Sequence, residues 1–274
     1  LRVSNEVGPQ NSRSIELVSG DNLRFMSDVK RHYAELLGSV YTWYTSLAGD
    51  PAVRAASWLE RYGLTPFETY LDLGAGSGAH ARALLGAGKR VTAVDFDARL
   101  LGELRASTLE HAARLTLEEA DLIAHLRGAE QRRFDVVLCA GDTLTHLPAE
   151  SAVVELVERS ARLLTAGGRL ALSYRDSTRF AAESVRRFIE VARDRQRTMH
   201  CLLEPIDAGH LRVTDIVTEV EADGPRTRLS DYVKLRIPPE RILEAADAAG
   251  LELVQRGDEN GLTTLCFRAH SAAE

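Results

Sequence analysis

Residues 70–85 read YLDLGAGSGAHARALL. A short apolar run hands over to three glycines, Gly74, Gly76 and Gly78, and then to an alanine-rich amphipathic segment. The order is strand, loop, helix. A loop without side chains lets a ligand approach its backbone, and the helix behind it presents free N–H groups. The stretch fits two fingerprints at once. G-x-G-x-x-A is that of dinucleotide-binding loops. D-x-G-x-G-x-G adds Asp72, two residues ahead of the first glycine.

Outward from this loop the chain alternates. TYLDLGAG, RVTAVDFD, RLTLEEAD, RFDVVLCAG and RLALSYRD read as strands. Between them AHARALLGAG, ARLLGELRASTLEHA, LIAHLRGA and ESAVVELVERSARLLTAGG read as helices. Such alternation predicts a parallel sheet covered on both faces. Ahead of it, residues 23–66 carry apolar positions at helical spacing, broken at Gly49, Asp50 and Pro51 and closed by Gly63. Residues 1–22 are polar and are expected to be loosely ordered.

The pattern changes after Asp176. Residues from about 197 to 237 form β-branched and apolar runs separated by the turn signals DAG and ADGP. With no helix between them they predict an inserted antiparallel meander. ESVRRFIEVARDRQ, just before, suits a helix or a short strand. PPERILEAADAAG is a helix, and LELVQRG and LTTLCFRA are two strands joined by DENG.

Composition narrows the function. The 274 residues are 45% hydrophobic and 27% charged, with net charge −6. No basic stripe interleaves with aromatics, so nucleic acid is not an expected partner. Cys139, Cys201 and Cys266 are far apart in apolar runs, which predicts buried thiols in a reducing compartment. No C-x-x-C or H-x-x-x-H spacing indicates a metal. No apolar run approaches ~18 residues, and the start lacks the form of a signal peptide. The expectation is a cytoplasmic enzyme with a small-molecule substrate and no membrane partner.

Asp95 ends the strand RVTAVDFD, where a carboxylate can accept both hydroxyls of a ribose bound across the first two strands. NAD would explain Asp95 but not Asp72, whose charge at the first strand's tip repels a pyrophosphate. The helical segment ahead of the first strand is likewise foreign to that reading. A nucleoside with a cationic amino-acid tail satisfies both acids, and S-adenosylmethionine is such a molecule.

YLDLGAGSG, VTAVDFD, EEADL, FDVVLCAGDTLTHLP and LLTAGGRLALSYRD stand in the order and spacing of class I S-adenosylmethionine-dependent methyltransferases, which residues 67–176 resemble strongly. CAGDTLTHLP is also similar to a segment of small-molecule enzymes of the glycine N-methyltransferase type, with Asp142 where Asn is usual. The resemblance implies an α/β fold: a doubly wound, Rossmann-like mixed sheet of seven strands. An N-terminal helical lid, residues 23–66, precedes a methyltransferase domain, residues 67–274. It implies that Gly74, Ala75, Gly76 and Gly78 wrap the methionine part, with Asp72 near its amino group. Asp95 takes the ribose and Phe96 packs beside the adenine. Asp121 and the Leu122 N–H meet the ring, and Cys139 and Ala140 lie under the methyl donor. S-adenosylhomocysteine is the implied product.

The acceptor side is less determined. His146 is the best candidate base, with Asp142 and Tyr44 as further catalytic candidates; His146 serves equally to hold its loop. Tyr33 and Tyr41 on the lid, and Tyr174 and Arg175 closing the fifth strand, are candidate substrate-binding residues. Core packing is the alternative for the tyrosines, and a surface salt bridge for Arg175. His80, His111 and His125 are expected in solvent, and His200 and His210 have no evident partner. The meander is expected either to shape the acceptor pocket or to join two copies in a homodimer. A nitrogen acceptor ranks ahead of oxygen. The rival functions are an NAD-dependent oxidoreductase and a non-catalytic S-adenosylmethionine-binding protein.

Overall fold

The computed structural model describes residues 15–16, 28–179, 186–259 and 261–270. Apart from Ile15 and Glu16, the segment expected to be loosely ordered lies outside them, as do residues 23–27 of the first expected helix.

Strand β1 is Ile15–Glu16. Helix α1, Asp28–His32, runs through a π-helical turn, Tyr33–Leu37, into α2, Gly38–Ser46. Helix α3, Pro51–Arg61, starts where Asp50 accepts a bond from Ala52 N at 2.9 Å and proline occupies the first turn. The alternating region follows: β2 Thr69–Leu73, α4 Ala79–Gly86, β3 Arg90–Asp95, α5 Ala98–Ser107, β4 Leu115–Glu119, α6 Leu122–Gly128, β5 Phe134–Cys139, α7 Glu150–Leu163 and β6 Leu164–Tyr174. Then come β7 Arg187–Arg193, β8 Arg197–Pro205, β9 His210–Glu221, β10 Gly224–Leu235, α8 Pro239–Ala248, β11 Leu251–Glu259 and β12 Leu262–Ala269.

The main sheet has seven strands in the order β11-β12-β6-β5-β2-β3-β4. β12 lies antiparallel to both neighbours, and the other ladders are parallel. Strands buried on both faces need apolar side chains at odd and even positions alike. Leu71, Leu73, Val137, Leu170 and Leu172 accordingly pack under α6, α7 and α8. Tyr70, Val136, Leu138 and Ala171 pack under α3 and α4. The strand order reverses between β2 and β5, so the crevice at their carboxyl ends is where a ligand binds in sheets of this kind.

The meander is a second sheet, β1-β10-β9-β8-β7. The segment open to helix or strand supplies its edge, β7, whose Phe188, Ile189 and Val191 remain exposed. Alternate residues of its inner face, including Met199 and Val217, pack against Leu36, Leu37 and Val40 of the N-terminal helices. Val29 joins Cys201, Leu211, Val213 and Tyr232. The N-terminal helices therefore rest on the inserted sheet, and Tyr41 from the helices and Lys234 from the sheet reach Gly76 and Asp142 of the crevice.

Five histidine expectations need correction. His80 packs 5.2 Å from the Trp58 ring, and burial pushes it down to about 4. His125 is buried, with Nδ1 3.0 Å from Glu118. Its helix is too short to turn a full polar face outward. His210 Nδ1 meets Asp207 at 2.9 Å, and His200 stacks on Phe188 at 4.8 Å. His111 is half-buried, with Nδ1 3.0 Å from Arg114. Among the described residues no helix is long and apolar enough to cross a membrane.

Candidate active site

The crevice has two halves. The first is the glycine loop and the acids beside it. Gly74 N and Ala75 N both donate to Val94 O, at 2.8 and 3.1 Å, which pins the loop to β3. Gly74, Gly76 and Gly78 all have positive φ, which side chains disfavour. A Cβ at Gly78 would meet Leu104, and one at Gly74 would meet Thr143. The glycines thus serve close packing as well as backbone shape.

Asp95 is buried at the end of β3. Its Oδ2 accepts from Gly76 N at 2.8 Å and its Oδ1 from Asp97 N at 2.9 Å. Burial pushes its carboxyl above the usual aspartate range, against the pull of those bonds. It does not cap α5. Asp97 does, accepting from Arg99 N at 2.9 Å and Leu100 N at 3.2 Å. Each Asp95 oxygen keeps lone-pair capacity for a further donor. Asp72 is 2% exposed, and its Oδ2 has no hydrogen-bond partner among the described residues. Burial, then the nearby charge of Asp95, pushes its carboxyl up to about 7. A buried carboxylate oxygen without a donor is a costly vacancy that a ligand cation would fill. A pyrophosphate would worsen it.

Phe96 follows Asp95, with Lys30 Nζ 5.7 Å from its ring centroid and Tyr33 packed edge-on at 5.2 Å. Asp121 caps α6 through Ile123 N and Ala124 N at 3.1 and 3.3 Å, and lies 3.5 Å from Lys30 Nζ. Leu122 is buried behind it. Ala140 follows β5 directly and is buried. The Cys139 side chain points into the core cluster under α7, where burial pushes the thiol far up, leaving its backbone as the part available to a ligand.

The second half faces it. Tyr41 lies against Gly76, and Tyr44 packs edge-on to Tyr41 at 5.4 Å. Burial, then Asp95, Asp72 and Asp142, pushes the Tyr41 hydroxyl up to about 12. Tyr33 and Tyr44 are likewise raised well above the usual tyrosine value, chiefly by burial. All three rings nevertheless keep accessible surface. Side chains both deep and accessible line an interior cleft. His146, closing the single turn Thr143–His146, is 6.2 Å from Tyr33 ring to ring. Burial outweighs the pull of Asp142 and holds it down at about 4, so it is neutral at pH 7.

Asp142 is a hub. Its carboxylate is bonded by Lys234 Nζ, by Arg175 N at 3.1 Å and by Thr145 Oγ1 at 3.1 Å. Burial raises it, but Lys234, His146 and these bonds lower it more, so it stays ionised. Arg175, exposed, turns toward the same carboxylate, with Nε 3.8 Å away. Tyr174 does not join this group. Its ring is fully buried in the core beneath α7 and α8, because residue 174 has the phase of Leu170 and Leu172 rather than of Ser173.

Four residues of this half escaped the sequence reading: His32, Asp215, Tyr232 and Lys234. Their signal was phase. Asp215 alternates with Leu211, Val213 and Val217, and Tyr232 and Lys234 share a face with Ser230, all buried. A charge on the apolar face of a strand is the anomaly to look for.

Comparison with known proteins bears on this arrangement. Residues 71–168 match the family model described as "Methyltransferase domain". Over 98 residues the chain is 31% identical to the ubiquinone biosynthesis O-methyltransferase of Paraburkholderia phytofirmans. That match covers 36% of this chain and 41% of the relative, so the chain spans under half of the curated protein it resembles. The CcbJ methyltransferase of Streptomyces caelestis superposes with TM-score 0.74 at 22% identity, over 87% of this chain and 98% of that one. CalS10, an amino pentose methyltransferase of Micromonospora echinaspora, gives 0.66 at 18% identity, over 85% and 96%. Both share the fold.

Proposed function

We propose that this chain, a member of the class I S-adenosylmethionine-dependent methyltransferases, moves a methyl group from that cofactor to the nitrogen of a small molecule. The observation that carries the cofactor half is the unpartnered, buried Oδ2 of Asp72 beside Asp95. Asp72 takes the amino group and Asp95 the ribose hydroxyls. Gly74, Ala75, Gly76 and Gly78 lie along the amino-acid tail, and Phe96, Asp121 and Leu122 surround the base. When bound, the cofactor supplies a methyl group already activated on a sulfonium.

What this chain's residues add is orientation and exclusion of water, worth up to ~7–11 kcal/mol when the reacting atoms are aligned. The tyrosines of the lid close the crevice from above. His146 supports nitrogen over oxygen. An imidazole held at about 4 is a poor match for a hydroxyl whose proton is held at about 10 or above. An amine that arrives neutral has its lone pair ready. The acids Asp72, Asp95, Asp142 and Asp215 around the crevice, with Lys234 as a buried counter-charge, also favour a basic acceptor over an acidic one.

Calorimetry with S-adenosylmethionine, S-adenosylhomocysteine and NADH tests the cofactor. Heat from the first two and none from NADH is expected, and the reverse overturns the reading. Incubation with labelled S-adenosylmethionine and matched panels of small amines and phenols then tests the acceptor. Label transferred to phenols alone would make oxygen the acceptor.

A further inference from the structure

A buried polar chain on the acceptor side ends at His146. His32, fully buried at the end of α1, holds Nε2 3.0 Å from Asp215 Oδ2, and Asp215 is buried on β9. The His32 ring lies 4.6 Å from that of Tyr232, inclined at 30°. Tyr232 Oη is 3.2 Å from His146 Nε2, with the two rings near perpendicular at 89°. Three segments remote in sequence thus meet in one line: the lid helix, the inserted sheet and the loop after β5.

We propose that Tyr232, braced by the His32–Asp215 pair, is a positioning residue that donates its hydroxyl hydrogen bond to His146 Nε2 and so fixes the imidazole as the Nδ1–H tautomer. The hydrogen bond stands by itself; its meaning for an acceptor rests on the methyl-transfer reading.

The direction of the bond follows from the surroundings. Tyr232 is 6% exposed and keeps its proton, since burial and then Asp215 and Asp142 disfavour the phenolate. A buried O–H needs an acceptor, and among the described residues His146 Nε2 is the one it has. The groups around His146 are Asp142, Lys234, His32 and Asp215, with Tyr33 and Tyr232 beside its ring. They leave it neutral, and a neutral imidazole carries one donor and one acceptor nitrogen. With Nε2 accepting, the proton sits on Nδ1, which has no protein partner among the described residues. His146 therefore offers the acceptor molecule a donor rather than a lone pair. That donor engages an atom other than the one methylated, because a hydrogen bond to the attacking lone pair would slow it. The acceptor accordingly carries an oxygen or second nitrogen near its amine. The His32 ring, 4.6 Å away and tilted, packs against the Tyr232 ring and limits its swing.

The test is a histidine ¹⁵N spectrum of the full chain, recorded from pH 5 to 8, with His146→Gln used to assign the resonance. In the wild type His146 should show one neutral tautomer, protonated on Nδ1, throughout. Tyr232→Phe keeps the ring and its stacking but removes the donor, and should give a mixture of tautomers. Asp215→Asn should give a partial mixture. Protonation on Nε2 in the wild type, or an unchanged spectrum in Tyr232→Phe, overturns the proposal. Calorimetry with S-adenosylhomocysteine on the same samples should give equal affinity for the wild type and Tyr232→Phe. Absence of binding to the wild type would sink the methyl-transfer reading and leave the tautomer result standing, so the two failures are distinct.

Discussion

Replacing Asp72 by asparagine tests the cofactor half of the crevice in isolation. The folded chain holds the Asp72 proton up to about 7, against 3.8 for an ordinary aspartate. The sign follows directly. A carboxyl raised in the folded state contributes stability that is full below the unfolded value near 4 and is lost as pH climbs through about 7. At ~1.4 kcal/mol for each pH unit, the loss has a ceiling of roughly 4 kcal/mol; water entering the empty crevice reduces it. Asparagine has the same shape and no charge, so the variant without ligand should match the wild type below about pH 4, draw ahead as pH rises from there, and exceed it by about 2–4 kcal/mol at pH 8. Urea unfolding at pH 5, 6, 7 and 8 measures this. Ligand binding should show the converse. A ligand amino cation favours ionised Asp72, so binding of S-adenosylhomocysteine to the wild type should tighten from pH 6 to 8 and release a fraction of a proton. That release appears as a binding enthalpy that depends on the buffer, and it should vanish in Asp72→Asn. Parallel stability curves for the two proteins, with no proton release on binding, would refute the assignment of Asp72 as the acid facing the amino group.

Asp95→Ala should weaken S-adenosylhomocysteine binding by about 3 kcal/mol, the loss of two charge-assisted bonds at ~1.5–3 each. It should also lower the melting temperature, because Gly76 N and Asp97 N lose their acceptor; unchanged affinity with a lower melting temperature would make Asp95 purely structural. Lys234→Met strips the buried ammonium from Asp142 and should cost about 2 kcal/mol at pH 7. That is less than the ~3–5 for a sealed pair, since the Asp142 side chain keeps 24% exposure. The loss should shrink toward pH 4, where the unpaired Asp142 takes up a proton; a loss that grows on acidification would show that the pair is not what holds the loop.

The alternating region was legible because each of its signals is local. The run from Tyr70 to Gly78 carries its strand, its turn and Asp72 within nine residues, and parallel strand order follows from helices standing between strands. Asp95 and Asp97 stand two residues apart, and Asp97 is the one spaced to cap α5. Residues 186–196 were not, since RFIEVA has apolar spacing for either state; pairing with β8 decided it for strand. Tyr174 misled because the sequence placed it at the right end of the right strand without saying which face it took. Neighbours of known phase, Leu170 and Leu172, settle that only once the helices above them are placed.

The acceptor half resisted reading for a stronger reason. His32, His146, Asp215 and Tyr232 come from three segments, and only the pairing of β9 with β10 brings the last two side by side. That pairing is continuous from Gly224↔Glu221 to Leu235↔His210, and it turns at Ala222 and Asp223 alone. A two-residue hairpin fixes register, and register fixes face. A slip of one residue would send Tyr232 and Lys234 to the outer side and bring Asp231 and Val233 inward. Thr218 and Thr227, bonded at 3.0 Å, and Arg228 with Glu219 at 2.9 Å hold the same register between the turn and the site. The inner-face positions of β10, Tyr232 and Lys234 among them, are therefore registered from a turn at the far end of the insert. A change at Ala222 that shifted this register by one residue would replace that face and leave the glycine loop, Asp72 and Asp95 as they were; an insertion absorbed as a longer turn would leave both as they are.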